Sequence, residues 1–177
     1  MRIERRCRSE AETIELATVL GRRLAGGDVI CIEGPLGCGK TCFVRGLAGG
    51  LGLEPQAVAS PSFIICRSHA TPRGLTLVHV DAFRLTGADD LESIGWEELL
   101  AGRDTVVAVE WPSRISEALP QRRIEVRMDH TGETSRRVTI TATGALASRL
   151  EGIDEQVTVI RRKLGLGVRG SGRSAEP

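Results

Sequence analysis

Gly34-Pro35-Leu36-Gly37-Cys38-Gly39-Lys40-Thr41 is the stretch on which the fold of this chain turns. It fits G-x-x-x-x-G-K-[ST], a phosphate-binding P-loop whose glycines let the backbone close around an anion. The flanks agree. Val29-Ile30-Cys31-Ile32 reads as a short buried strand, and Thr41-Cys42-Phe43-Val44-Arg45-Gly46-Leu47 opens a helix. The N–H groups of Gly37, Cys38, Gly39, Lys40, Thr41 and Cys42 then gather at the positive end of that helix, where they bind nucleotide phosphates. In such a loop Lys40 reaches the β- and γ-phosphates, and the Thr41 hydroxyl ligates magnesium.

Outward from the loop, the chain reads as an α/β protein. Ser9-Glu10-Ala11-Glu12 is a capping box that starts a helix with Ile14, Ala17, Leu20 or Gly21, and Leu24 on its apolar stripe. Thr13 on this helix either borders a nucleotide base or is an exposed helical residue. Past the loop helix, Gly49-Gly50-Leu51-Gly52 reads as its exit. Ala57 to Cys66 begins as a loop and becomes a strand, Thr71-Pro72-Arg73-Gly74 turns the chain, and Leu75 to Val80 returns antiparallel. An acidic helix is expected from Ala88 to Leu100, then a central strand at Thr105-Val106-Val107-Ala108-Val109, apolar throughout. A short helix is read over Ser113 to Ala118. Ile124 to Met128 and Val138 to Thr141 alternate like half-exposed strands, and a last helix is expected from Leu146 to Lys163.

A chain of 177 residues suits one domain, set here at 1–164, with a disordered glycine- and serine-rich tail at 165–177. The net charge of +1 supplies no global field for DNA or a membrane surface, and 3% aromatic content without tyrosine offers no base-stacking platform. No apolar run approaches the ~18–20 residues of a membrane span, and Met1 to Arg6 lacks a signal-peptide core. The five cysteines form no C-x-x-C pair, which suggests reduced thiols in the cytoplasm. Cys38 and Cys42 sit where helix N–H dipoles favour a thiolate, so both are expected to be more reactive than strand-buried Cys31.

A P-loop site that hydrolyses nucleotide needs a carboxylate for the magnesium shell and a group to orient or deprotonate water. Acids at the C-terminal ends of buried strands meet that need. Asp81 and Glu110 both follow apolar strands and are read as magnesium and catalytic residues, with their division of roles left open. Ser60-Pro61-Ser62 lies where many such proteins carry a γ-phosphate-sensing switch, or is simply a polar turn. His79 shares a strand face with Asp81 and reads as a structural hydrogen-bonder. Trp111 caps the pocket or packs in the core.

Taken together, these residues resemble the TsaE family of small bacterial ATPases of transfer-RNA threonylcarbamoyladenosine synthesis. The matching stretches are the loop, Ser60-Pro61-Ser62-Phe63, His79-Val80-Asp81-Ala82-Phe83-Arg84-Leu85 and Val109-Glu110-Trp111-Pro112. The resemblance implies a P-loop NTPase-like three-layer sandwich with a mixed sheet: a parallel core plus antiparallel hairpins. It implies ATP and magnesium as cofactors, weak hydrolysis alone, and docking on a TsaB–TsaD pair that modifies adenosine-37, with transfer RNA met indirectly. By position, Lys40 and Thr41 become the phosphate and magnesium residues, Asp81 and Glu110 the essential acids, Ser60 to Ser62 the switch-like loop. Thr13 and Arg137 fall near positions that approach the nucleotide. Cys38 stands in place of the usual alanine, Cys42 in place of a threonine that binds the α-phosphate, Ser62 for threonine and Phe83 for tyrosine. Two other readings compete: a small-molecule P-loop kinase, and a nucleotide-gated binding module with negligible turnover.

Overall fold

The computed structural model describes residues 1–61, 64–86 and 88–163. Seven strands form one sheet: β1 (Arg2–Cys7), β2 (Val29–Glu33), β3 (Cys66–Ala70), β4 (Thr76–Asp81), β5 (Thr105–Glu110), β6 (Ile124–His130) and β7 (Arg136–Thr141), in the order β1-β7-β6-β2-β5-β4-β3. The inner strands β6, β2, β5 and β4 run parallel. Antiparallel pairs close both sides, β3 on β4 at one edge and the β6–β7 hairpin with β1 at the other. The sheet is therefore mixed, a parallel core between antiparallel margins.

Strand alternation divides the apolar side chains into two cores. Ile30, Ile32, Val106, Ala108, Val126 and Ile140 face one side, where α1 (Glu10–Gly21), α2 (Lys40–Gly50) and α4 (Ile153–Lys163) pack. Val29, Cys31, Val78, Val80, Val107 and Val109 face the other, covered by Leu91, Ile115 and Trp96, which opens α3 (Trp96–Ala101). The outcome is a three-layer α/β sandwich. β5 is buried at all six positions, as its uninterrupted apolar run predicts.

The first two helices approach unusually closely. A Cβ at Gly46 would stand 2.5 Å from both the Ala17 Cβ and the Ile14 carbonyl oxygen, and one at Gly50 only 2.4 Å from the Thr18 carbonyl oxygen. The glycines expected to end α2 are thus built into it as contact points, and the helix runs through Gly50. Ser9 caps α1 by accepting from the Glu12 N–H at 3.2 Å, while the Glu12 carboxylate accepts from the Arg8 N–H at 2.8 Å.

Other expectations are revised. The N-terminal residues, read as merely charged, form edge strand β1 with Ile3 and Cys7 buried. The strand expected before Cys66 begins only there. The acidic helix is two pieces: a 3₁₀ segment over Ala88–Ile94, then α3 after Gly95 at φ 65°. The last helix also divides, because Gly152 at φ 63° stops the 3₁₀ segment Gly144–Leu150 before α4. Apart from Asn and Asp, L side chains take that left-handed turn only at a cost that glycine avoids. Among the described residues no helix is long and apolar enough to cross a membrane. The residues read as a tail, 165–177, lie outside the described ones.

Candidate functional site

The phosphate loop leaves the C-terminal end of β2 and enters α2 through Gly39, which caps the helix at φ 100° with no side-chain hydrogen bond. The first-turn N–H groups therefore have no acceptor from their cap, which is the arrangement an anion completes. Lys40 is 5% exposed. Its Nζ donates to the Gly34 and Pro35 carbonyls at 2.8 and 3.0 Å and lies 3.5 Å from the centroid of a Trp111 ring. Trp111 holds a left-handed backbone (φ 60°, ψ 48°) and packs its ring against Phe83 at 5.0 Å between centroids. So Trp111 caps the lysine and also leans on the second core.

Thr41, one residue further, donates its hydroxyl to Glu110 Oε1 at 2.8 Å. The same oxygen lies 2.8 Å from His79 Nε2. Asp81 and Glu110 are register partners on β4 and β5. Asp81 accepts from the Ser60 hydroxyl on one oxygen at 3.0 Å and from the Phe83 N–H on the other at 3.1 Å. Lys40, Thr41, Asp81 and Glu110, far apart in the chain, therefore meet at the C-terminal ends of the parallel strands. Ser60 is tied to that cluster; Ser62 lies outside the described residues.

Arg136, rather than Arg137, is the arginine that reaches the loop. It is buried, donates through Nε to the Cys38 carbonyl at 3.1 Å and through a terminal nitrogen to Thr13 Oγ1 at 3.2 Å. Arg137 is exposed on the opposite sheet face. Val138 and Ile140 are buried on β7, so counting back by two would have found Arg136 from sequence. Thr13 is fully buried, donating its hydroxyl to the Ser9 carbonyl at 3.1 Å, which excludes the exposed reading. A groove of about 570 Å³ beside Arg137 contains no residue of the phosphate loop. Among its charges Arg123 pairs with Glu125 at 2.8 Å and Arg2 with Glu4 at 2.9 Å.

The cysteines correct an expectation. Burial pushes the Cys38 thiol up despite the Lys40 ammonium nearby, and raises Cys42 to about 11 and Cys31 to about 12. Desolvation outweighs the helix dipole here, because Cys38 is 0% and Cys42 5% exposed. Neither is a poised thiolate. The Cys42 thiol lies 3.6 Å from the Glu10 carbonyl oxygen, which it faces as a donor.

A parallel-centred sheet, a glycine-wound loop between β2 and α2, and paired acids at adjoining strand ends define a P-loop protein of the α/β class. The family model for "Threonylcarbamoyl adenosine biosynthesis protein TsaE" matches residues 7–138, and the chain belongs to the TsaE family. It is 37% identical to the tRNA threonylcarbamoyladenosine biosynthesis protein TsaE of Treponema pallidum, over 75% of this chain and 96% of that protein. The protein of the same name from Streptomyces coelicolor is 42% identical over 71% of this chain and 89% of its own length. The crystal structure of Bacillus subtilis YdiB superposes with a TM-score of 0.69 at 31% identity, covering 90% of this chain and 96% of that one.

Proposed function

We propose that the chain is a magnesium-dependent ATPase of the cytoplasm that supports threonylcarbamoyladenosine formation at adenosine-37 by acting on a TsaB–TsaD-type complex. It is weak alone, is stimulated by that complex, and meets transfer RNA indirectly. One observation carries this reading: the Thr41 hydroxyl donates its hydrogen to buried Glu110, beside Asp81 and the Lys40 loop.

That bond suits a cation. With its hydrogen committed to Glu110, Thr41 Oγ1 keeps lone pairs for a metal. Among the described residues no three His, Cys, Asp or Glu side chains form a self-standing metal centre. Magnesium needs none, being held by one or two protein groups with water and substrate phosphates. Thr41, with Glu110 and Asp81 behind it, would hold the ion, which when bound neutralises charge on the phosphate oxygens.

The chain's own groups supply the rest. Lys40, whose ammonium donates to two loop carbonyls over the Trp111 face, would give those contacts up for phosphate oxygens. Glu110 holds Thr41 and in this reading accepts a proton from water; Asp81, restrained through both oxygens, holds Ser60, which the reading assigns to the switch-like loop. Arg136 and Thr13 brace the loop from the β7 side.

The Ser60–Asp81 hydrogen bond also favours a second reading, a nucleotide-gated module whose loop a partner reads while turnover is incidental. ATP turnover by the purified chain, with and without the partner complex, separates the two. An ATPase accelerates with its partners. A gated module scarcely turns over in either condition, and that result would overturn the proposal.

A further inference from the structure

We propose that His79 is a positioning residue: it fixes the Glu110 carboxylate from within the sheet and, through it, the direction of the Thr41 hydroxyl. The inference rests on the magnesium–ATP reading above and adds a residue to it.

His79 is fully buried on β4, two residues before Asp81. Its register partner on β5 is Ala108, whose methyl side chain leaves the imidazole room to lean toward Glu110, two residues further along the same face. Leu77 and Ala108 belong to the core that holds α2, so the ring lies on the same side of the sheet as the phosphate-loop helix. There Nε2 stands 2.8 Å from Glu110 Oε1, the oxygen that also takes the Thr41 hydroxyl at 2.8 Å. One oxygen is thus pinned by two donors arriving from different elements.

The geometry also selects the tautomer. An ionised carboxylate only accepts, so Nε2 carries the hydrogen. Nδ1 is buried with no partner among the described residues. A bare lone pair there is tolerated better than an N–H without an acceptor, so the ring's donor is Nε2, the nitrogen that faces Glu110. A ring kept only to fill space has no reason to aim its one donor at the oxygen that orients Thr41. Groups behind a metal ligand commonly set its direction, and losing one costs about 10–100-fold in metal affinity or activity.

The test compares His79→Met, which fills the space without a donor, with His79→Gln, which restores an N–H near the Nε2 position. In the presence of the partner complex, His79→Met should lower kcat by about tenfold or more and raise the magnesium concentration for half-maximal turnover similarly. The KM for ATP at saturating magnesium should stay within about threefold, as should nucleotide affinity without magnesium. His79→Gln should recover most of the loss. Unchanged kcat and magnesium dependence in His79→Met, or no recovery in His79→Gln, would overturn the proposal. A chain that hydrolyses no ATP would sink the ATPase reading separately. The histidine would then be judged by nitrogen NMR of the unliganded protein. The expected ring donates from Nε2, with an Nε2 signal that shifts in Glu110→Ala. A ring with no hydrogen on Nε2, or one indifferent to Glu110→Ala, would overturn it as surely.

Discussion

Asp81 and Glu110 stand side by side as the last residues of two adjacent parallel strands, β4 and β5. Their partners differ. Glu110 is tied to the helix that carries the phosphate loop, and Asp81 to the switch-like segment at Ser60. One carboxylate is therefore tied to the phosphate-loop helix and its neighbour to the segment that leads into β3.

Glu110→Gln should separate binding from turnover. The amide keeps the volume and one acceptor but loses the charge that holds Thr41 toward a cation and accepts a proton. Partner-stimulated hydrolysis should fall by about a hundredfold, the scale of a lost general base, with nucleotide affinity little changed. Turnover at the parent rate would transfer the role to Asp81.

Arg136→Met should weaken nucleotide binding and cost about 2 kcal/mol of stability, because it removes charged donors from the buried Cys38 carbonyl and Thr13 hydroxyl. Arg137→Met, on the exposed face, should stay within about 0.5 kcal/mol and leave binding intact. Calorimetry and urea melts on the pair check both. Equal effects would mean that β7 register does not govern the site.

Gly46→Ala should destabilise although alanine is the better helix former by about 1 kcal/mol. The new methyl would sit 2.5 Å from the Ile14 carbonyl oxygen, a backbone atom that cannot rotate away. Overpacking of that kind costs about 1–3 kcal/mol, so the clash wins. A lower urea midpoint with an unchanged denaturant slope would confirm it, and a higher midpoint would refute the close α1–α2 contact.

Alkaline pH should destabilise the fold through its thiols. Cys31 and Cys42 have folded-state pKa values of about 12 and 11, against an ordinary 9.0. Above pH ~9 the unfolded chain releases these protons while the folded chain keeps them, so stability falls as pH rises through that window. Below it the contribution is fully present. Native alkylation near pH 8 should mark partly exposed Cys66 before Cys31, Cys38 or Cys42; prompt labelling of Cys38 would reinstate a reactive loop thiol.

What was legible in the sequence was local or periodic. The loop motif carries its own flanking strand and helix, the apolar run of β5 announces a central strand, and the 71–74 turn encodes the β3–β4 hairpin. What escaped was decided by partners distant in sequence. β1 shows only Ile3 and Cys7 as apolar anchors among charges, so its strand character comes from pairing with β7. The two long helices looked continuous because helical periodicity passes through Gly95 and Gly152, while their backbones turn left-handed there. Cys38 and Cys42 were misread because a dipole is visible in a motif, whereas desolvation depends on what packs above it. The Arg136 contact required the parity of a half-exposed strand to be counted rather than its charges noticed.

The brace between Arg136 and the Cys38 carbonyl spans 98 residues of chain, and the Thr41–Glu110 bond spans 69. During synthesis the phosphate loop emerges early, yet it must wait for β5 and then for β7 before its supports exist. A ribosome paused between Thr41 and Glu110 presents a loop whose partners from β5 and β7 have yet to be made. The part of the molecule most readily recognised in the sequence thus draws its supports from strands far along the chain.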